Sequence, residues 1–139
     1  MLFLDRIKHV QARAKFRDAA ALAGFAVESH DHPLKGPTDE DLALDVVAIR
    51  PPKGPVVPCE AEKVFVTMSG THGPEGFAGS AAQVGWLAEG HWRNLPGGTA
   101  VVLLHAVNPH GFANVRRTTE DNVDLNRNFR DFRQPPPAK

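Results

Sequence analysis

The sequence predicts an α/β fold whose sheet is mixed, partly parallel and flanked by helices. Two continuous apolar runs support this prediction, at residues 63–68 and 99–107, and both are rich in β-branched residues. Such runs are typical of strands that are buried on both faces. A helical pattern at residues 75–89 separates them, so the order strand, helix, strand predicts a parallel βαβ unit.

Upstream of this unit the sequence predicts one helix and two further strands. The helix covers residues 4–23, because its apolar side chains recur on one face and Gly24 follows where a left-handed cap belongs. Alternating polarity predicts a strand at residues 25–30, and a turn-rich stretch leads from there to a second strand at residues 41–49.

The connecting segments are marked by their composition. Residues 51–58 are rich in proline and form a loop. Residues 108–129 follow the last apolar run and are expected to be ordered but irregular. The polar, proline-ended stretch at residues 130–139 is expected to lack regular structure.

The composition argues against several classes of function. The 139 residues correspond to about one domain. Lys plus Arg and Asp plus Glu both number 16, whereas a nucleic-acid-binding domain usually carries a basic excess. The sequence has neither a basic amphipathic run nor a stretch of about 20 apolar residues, which disfavours a membrane partner. The single cysteine, Cys59, fits a reducing compartment, so a cytoplasmic protein is expected.

A histidine and a glutamate stand three residues apart directly after the first apolar run. His72 lies in a glycine-flanked turn, and Glu75 follows at the start of the predicted helix. Ligands collect at the C-terminal ends of strands in open α/β sheets. Imidazole and carboxylate are zinc ligands, and a catalytic zinc usually takes three protein ligands plus water. The alternative is a surface histidine beside a glutamate that complements the helix dipole.

A second group of polar residues follows the second apolar run and comprises Arg117, Asn126 and Arg127. Arginine binds a carboxylate through two parallel, charge-assisted hydrogen bonds, and asparagine adds a directed donor. An arginine near a metal can also stabilise a developing oxyanion. These residues therefore predict a carboxylate-binding pocket. The alternative is ordinary surface ion pairing with the neighbouring carboxylates Glu120, Asp121 and Asp124.

Taken in order, these motifs resemble the zinc metallocarboxypeptidase (carboxypeptidase A-like) superfamily. His72-Gly73-Pro74-Glu75 is similar to its first two zinc ligands, and Asn108-Pro109-His110-Gly111 is similar to its Asn-Pro-Asp-Gly turn. The resemblance is finer to a bacterial branch known as a domain of unknown function. It covers residues 69–80 and 108–129, and the segment His32-Pro33-Leu34-Lys35-Gly36-Pro37 also fits.

The resemblance implies a fold and a reaction. Residues 1–129 would form the N-terminal portion of a carboxypeptidase-like, or phosphorylase/hydrolase-like, fold, and residues 130–139 an irregular tail. The implied reaction is zinc-dependent hydrolysis of an amide bond next to a free carboxylate. The substrate would be a small peptide or an N-acyl amino acid, because the superfamily also includes N-acyl amino acid deacylases.

The resemblance also implies a role for each candidate residue. His72 and Glu75 would hold the zinc ion. Asn126 and Arg127 would bind the terminal carboxylate of the substrate. Arg117 would polarise the scissile carbonyl. Its neighbour Arg116 is the second choice, because Arg117 stands nine positions before Asn126, which is the common spacing in bacterial members.

The sequence departs from the family's pattern in one important respect. The family's third zinc ligand, a histidine, and its general-base glutamate both follow the Asn-Arg pair, and neither can be assigned in this chain. His105 and His110 are the only histidines expected near the site. These departures leave open a non-catalytic, truncated or degenerate module that binds carboxylates or only assembles with a partner. The exposed edges of a partial sheet also predict self-association into a homo-oligomer.

Overall fold

The computed structural model describes residues 8–50, 61–129, 131 and 133–134. Along this part of the chain one helix is followed by three strands, and then come a second helix, a fourth strand and a short third helix. The helices are α1 (Lys8–Leu22), α2 (Gly73–Ala88) and α3 (Pro109–Asn114). The strands are β1 (Glu28–Lys35), β2 (Asp41–Ile49), β3 (Lys63–Met68) and β4 (Thr99–His105). Short 3-10 turns follow at His91–Asn94 and Leu125–Arg127.

The strands form a mixed sheet in the order β1-β2-β4-β3. The first two pairings, β1 with β2 and β2 with β4, are antiparallel. The pairing of β3 with β4 is parallel, in a register that runs from Lys63 opposite Thr99 to Met68 opposite Leu104. The α/β class and the parallel βαβ unit predicted from the sequence are therefore confirmed.

Helices α1 and α2 cover one face of the sheet. Phe16 and Ala20 of α1, Leu87 of α2, and Val47 and Val101 of the two central strands meet in a single buried cluster. Side chains at alternate positions of β2 point into this cluster, as the period of two in a strand requires. The core thus lies between the helices and the strands that carry the predicted site residues at their ends.

Strand β3 is an edge strand, and its apolar side chains are largely exposed. The relative exposures are 46% for Val64, 57% for Phe65, 48% for Val66 and 62% for Met68. The prediction that this run is buried on both faces was wrong for the described part of the chain. Its sequence suits a central strand, but β4 is its only strand neighbour among the described residues.

The N-terminal half shows two differences in element boundaries. Helix α1 begins at Lys8 in the described residues and ends as predicted, with Gly24 in the left-handed region at φ +83°. Strand β1 starts at Glu28 and runs through Pro33, later than the predicted strand at residues 25–30. A strand at the edge of a sheet tolerates proline because one side of it needs no ladder hydrogen bond.

The segment at residues 108–129 contains more regular structure than predicted. Asn108 caps the short helix α3 by accepting a hydrogen bond from the Gly111 N–H at 2.8 Å. The predictions for residues 51–58, for Cys59 and for most of residues 130–139 fall outside the described residues. No helix in the described ranges has the length and apolarity needed to span a membrane.

Candidate metal and carboxylate site

The two polar segments of the predicted site leave the sheet side by side, because backbone pairing continues beyond β3 and β4. The Ser69 N–H donates to the Leu104 carbonyl, and the Val107 N–H donates to the Ser69 carbonyl, each at 2.9 Å. Gly70 adopts φ +68°, and a Cβ there would lie 3.0 Å from the Ala106 Cα. The close approach of the two chains therefore requires a glycine at position 70.

Gly73 brings the segment after α3 against the start of α2. Its N–H donates to the Arg116 carbonyl at 2.9 Å, and a Cβ on Gly73 would lie only 1.9 Å from the Gly111 carbonyl oxygen. Such a contact leaves no room for a side chain. As a result the chain that follows Arg116 runs next to His72.

His72 is the centre of the site, and carboxylates face both of its ring nitrogens. Its Nδ1 lies 3.0 Å from Glu75 Oε2, and its Nε2 lies 2.9 Å from Asp124 Oδ1. His72 is only 7% exposed. The structure therefore brings the two predicted zinc ligands together, at the rim where β3 ends.

Asp124 joins the histidine to the predicted carboxylate-binding residues. Its Oδ2 accepts a hydrogen bond from Arg117 Nε at 2.8 Å, and its Oδ1 accepts one from the Asn126 backbone N–H at 3.0 Å. The hydrogen bond from His72, followed by that from Arg117, lowers the pKa of Asp124 to about 2. An ionised carboxylate thus holds an imidazole and a guanidinium in one cluster.

The role of Asp124 was missed in the sequence, where it was considered only as a surface ion-pair partner of the arginines. The ion pair with Arg117 does form, and because Asp124 also contacts His72, it holds Arg117 close to His72. The sequence feature that points to Asp124 is its position, since it stands two residues before Asn126 within the same motif. Arg116, the second choice for the arginine role, is bound through its backbone to Gly73 and Gly111.

Asn126 and Arg127 lie on the 3-10 turn Leu125–Arg127, which Asp124 caps. Both side chains are exposed, and one guanidinium nitrogen of Arg127 donates to the Asn126 carbonyl at 3.0 Å. The turn therefore presents an amide and a cation to solvent one turn away from the Asp124–His72 contact. This arrangement suits a ligand carboxylate, which needs accessible donors.

The donor set at His72 fits two ligands of a metal site. If the Nε2–H donates to Asp124, a lone pair on Nδ1 faces a Glu75 oxygen at 3.0 Å, so a proton or a cation must lie between them. Residues 8–50, 61–129, 131 and 133–134 contain no group of three or more His, Cys, Asp or Glu side chains arranged to hold a metal ion. A catalytic zinc usually takes three protein ligands, and the two candidate ligands that meet here are His72 and Glu75.

The two other histidines predicted to lie near the site make contacts of their own. His105 is fully buried, with Nε2 2.9 Å from Ser80 Oγ and its ring stacked on Phe16 at 4.5 Å, so it belongs to the core. The His110 ring lies 6.2 Å from the ring of His32. An apolar groove between α1 and α2 includes none of the five predicted site residues.

Comparison with known proteins adds a family. The family model described as "Protein of unknown function (DUF2817)" matches residues 7–139. The chain belongs to the DUF2817 family. No curated protein matches this DUF2817 sequence. Among solved structures, glutaminyl cyclase of Fimbriiglobus ruber is similar with a TM-score of 0.46 and 13% identity, over 68% of this chain and 36% of that one. The DUF2817 chain thus spans about a third of the length of that cyclase chain.

Proposed function

We propose that this chain carries part of the active site of a zinc-dependent hydrolase that cleaves amide bonds next to a free carboxylate. The proposed hydrolase is of the carboxypeptidase or N-acyl amino acid deacylase type. The observation that supports it best is the arrangement of Glu75 and Asp124 on opposite nitrogens of one buried imidazole, that of His72. Metal-bound histidines typically donate their second ring N–H to a carboxylate, which fixes the tautomer.

Each residue has a role that follows from its contacts. His72, through Nδ1, and Glu75 would hold zinc, which supplies Lewis-acid polarisation and lowers the pKa of bound water. Asp124 keeps the His72 proton on Nε2, so that Nδ1 stays free to bind a cation. Arg117, which donates to Asp124, would stabilise negative charge on the substrate carbonyl oxygen. Asn126, on the neighbouring turn, would join Arg127 in binding the substrate carboxylate.

A second candidate function rests on the incomplete ligand set. With two metal donors among the described residues, His72 can instead be an imidazolium that satisfies Glu75 and Asp124 as a double ion pair. The chain would then be a non-catalytic module that binds carboxylates through its arginines or only assembles with a partner. The two candidates differ in whether His72 is needed for zinc binding.

Zinc binding tests the first candidate. The dialysed parent protein, His72→Ala and His91→Ala are equilibrated with zinc and analysed for metal content and by calorimetry. His91 is the matched control, because its Nε2 also contacts a carboxylate, that of Glu89, at 2.8 Å, but on the exposed surface. We expect His72→Ala to lose the bound zinc and His91→Ala to retain it. Equal stoichiometry in His72→Ala and the parent would refute the ligand assignment.

Carboxylate binding tests the second half of the site. N-acetylglycine is titrated into the parent, Arg127→Ala and Arg133→Ala, with and without zinc. Arg133 is the matched control, because it is an exposed arginine that pairs with Asp131 at 2.9 Å outside the cluster. We expect Arg127→Ala to weaken binding about tenfold or more, since charge-assisted pairs contribute roughly 1.5–3 kcal/mol. Equal affinity of Arg127→Ala and the parent would contradict the proposed role of Arg127.

We further infer that the working protein is cytoplasmic and that it can self-associate. A lone cysteine fits a reducing compartment, and the exposed β3 edge offers unpaired backbone groups beside apolar side chains. Neither inference depends on zinc. The expected partners are those predicted from the sequence, a small carboxylate ligand and a second copy of the chain.

A further inference from the structure

Three side chains from separate motifs meet near the candidate site without a role in the proposed reaction. His32 comes from β1, His110 from α3, and Glu120 from the segment between Arg117 and Asp124. His32 Nε2 lies 3.2 Å from Glu120 Oε1, and the His32 and His110 rings lie 6.2 Å apart at an interplanar angle of 27°. The cluster therefore joins the far edge of the sheet to the chain that carries the carboxylate-binding residues.

The contact between His32 and Glu120 is directional and sheltered. The Leu34 N–H donates to His32 Nδ1 at 3.1 Å, so the ring proton of neutral His32 lies on Nε2, which faces Glu120. The two side chains are 14% and 30% exposed. Their limited exposure reduces the solvent screening that weakens ordinary surface pairs.

Glu120 stands at the tip of a hydrogen-bonded turn. The Thr119 N–H donates to the Val123 carbonyl at 2.9 Å, and the Asn122 N–H donates to the Thr119 carbonyl at 3.0 Å. The Val123 N–H also donates to Thr119 Oγ1 at 3.2 Å. Because these bonds close the turn on itself, holding its tip also holds its two ends.

The residues that flank this turn, Arg117 and Asp124, belong to the candidate site. Arg117 lies two residues before Thr119, and Asp124 follows Val123 directly and caps the turn that presents Asn126. The segment is fixed at its base by the contacts of Asp124 with His72 and Arg117. The contact with His32 provides a second, independent attachment at the tip.

We propose that His32 and Glu120 are positioning residues for the proposed carboxylate site. By binding Glu120, His32 fixes the turn at residues 119–123 against β1 and so sets the placement of Arg117 and of the 3-10 turn Leu125–Arg127. The functional part of this inference rests on the proposed function. The structural part, which is the attachment of the turn by His32, stands independently of it.

Hydrogen–deuterium exchange resolved by NMR tests the attachment directly. The backbone amides of Asn122, Val123 and Arg127 are followed in the parent, His32→Ala and His30→Ala. His30 is the matched control, because it lies on the same strand and pairs with Glu28 at 3.1 Å, at a well-exposed position. We expect about tenfold faster exchange of these amides in His32→Ala, no change in His30→Ala, and unchanged exchange in β4.

The partner residue provides a rescue experiment. Glu120→Gln keeps a carbonyl oxygen that can accept the His32 Nε2–H, whereas Glu120→Ala removes it. We expect Glu120→Ala to reproduce the effect of His32→Ala and Glu120→Gln to restore slow exchange to within about threefold of the parent. The proposal is wrong if exchange in residues 119–127 is unchanged in His32→Ala, or if it rises equally in β4.

Binding of N-acetylglycine separates this inference from the proposed function. If the site is positioned as proposed, His32→Ala raises the dissociation constant several-fold while His30→Ala does not. Absence of binding by the parent would overturn the proposed function, and the exchange experiment would still decide the attachment. Normal binding by His32→Ala together with fast exchange would show that the turn is attached but does not position the ligand site.

Discussion

His105 makes the stability of the fold depend on pH in a predictable way. Its side chain is fully buried between α1 and α2, with Nε2 against Ser80 and its ring stacked on Phe16. Burial lowers the pKa of His105 from 6.5 to about 4, against the opposing effect of the nearby Asp45 carboxylate. The unfolded chain therefore binds a proton between pH 6.5 and 4 that the folded chain does not bind.

The sign and size of the effect follow from this difference. The contribution of His105 to the free energy of unfolding is fully present above pH 6.5. It falls as the pH drops toward 4, because the unfolded state gains a proton. Between pH 7 and pH 4.5 the stability lost through His105 is about 2–3 kcal/mol, from nearly two pH units at 1.36 kcal/mol each. This is a large fraction of the stability of a small domain, which is about 5–15 kcal/mol.

Urea unfolding, followed by fluorescence of the core-packed Trp86 and Trp92, measures the effect. His105→Gln should be less stable than the parent at pH 7, because it loses the stacking on Phe16, but its stability should fall less by pH 4.5. The difference in unfolding free energy between parent and variant should thus shrink by about 2–3 kcal/mol. His91→Gln, at an exposed position, should follow the parent. Parallel pH curves for His105→Gln and the parent would refute the reasoning.

Four further substitutions are expected to have clear effects. Gly73→Ala should destabilise the protein by about 1–3 kcal/mol in the same denaturation assay, because its Cβ would meet the Gly111 carbonyl. Gly85→Ala should stabilise it by about 0.5–1 kcal/mol, because a Cβ there has nothing within 4 Å and alanine favours a helix. Asp124→Asn should lower zinc affinity about 10–100-fold by calorimetry, while unchanged affinity would argue against its support of the histidine. Phe65→Lys should lower the oligomeric fraction in sedimentation velocity, and an unaltered distribution would separate self-association from β3.

The regular elements that the sequence predicted best are those with a strong local pattern. Residues 41–49 and 63–68 have the predicted bounds, and α2 begins two residues before the predicted helix at residues 75–89. The parallel pairing of β3 and β4 followed from a general rule on strand–helix–strand connections. The edge position of β3 could not be predicted. An apolar run shows that a strand favours burial, but it does not show which strands lie beside it.

The sequence supplied candidate residues for the site but not the contacts that connect them. His72 and Glu75 are three residues apart, so their meeting is local. Asp124 is 52 residues from His72 in the sequence, and only the pairing beyond β3 and β4 and the close contact at Gly73 bring them together. The resemblance to metallocarboxypeptidases supplied the candidate residues, whereas the way Asp124 ties His72 to Arg117 was found only in the fold.

The exposed edge of the sheet at β3 lies next to the proposed zinc site, where His72 and Glu75 meet. His72 follows β3 after a turn of three residues, so the site lies at the C-terminal rim of the strand whose outer edge carries no strand in the described chain. A further strand paired with β3 would lie about 4.8 Å away, and a parallel one would end at the same rim. Its last side chains would therefore stand beside His72 and Glu75, where the proposed zinc site would take its third donor. One added strand can thus both cover the apolar side chains of β3 and complete the proposed metal site.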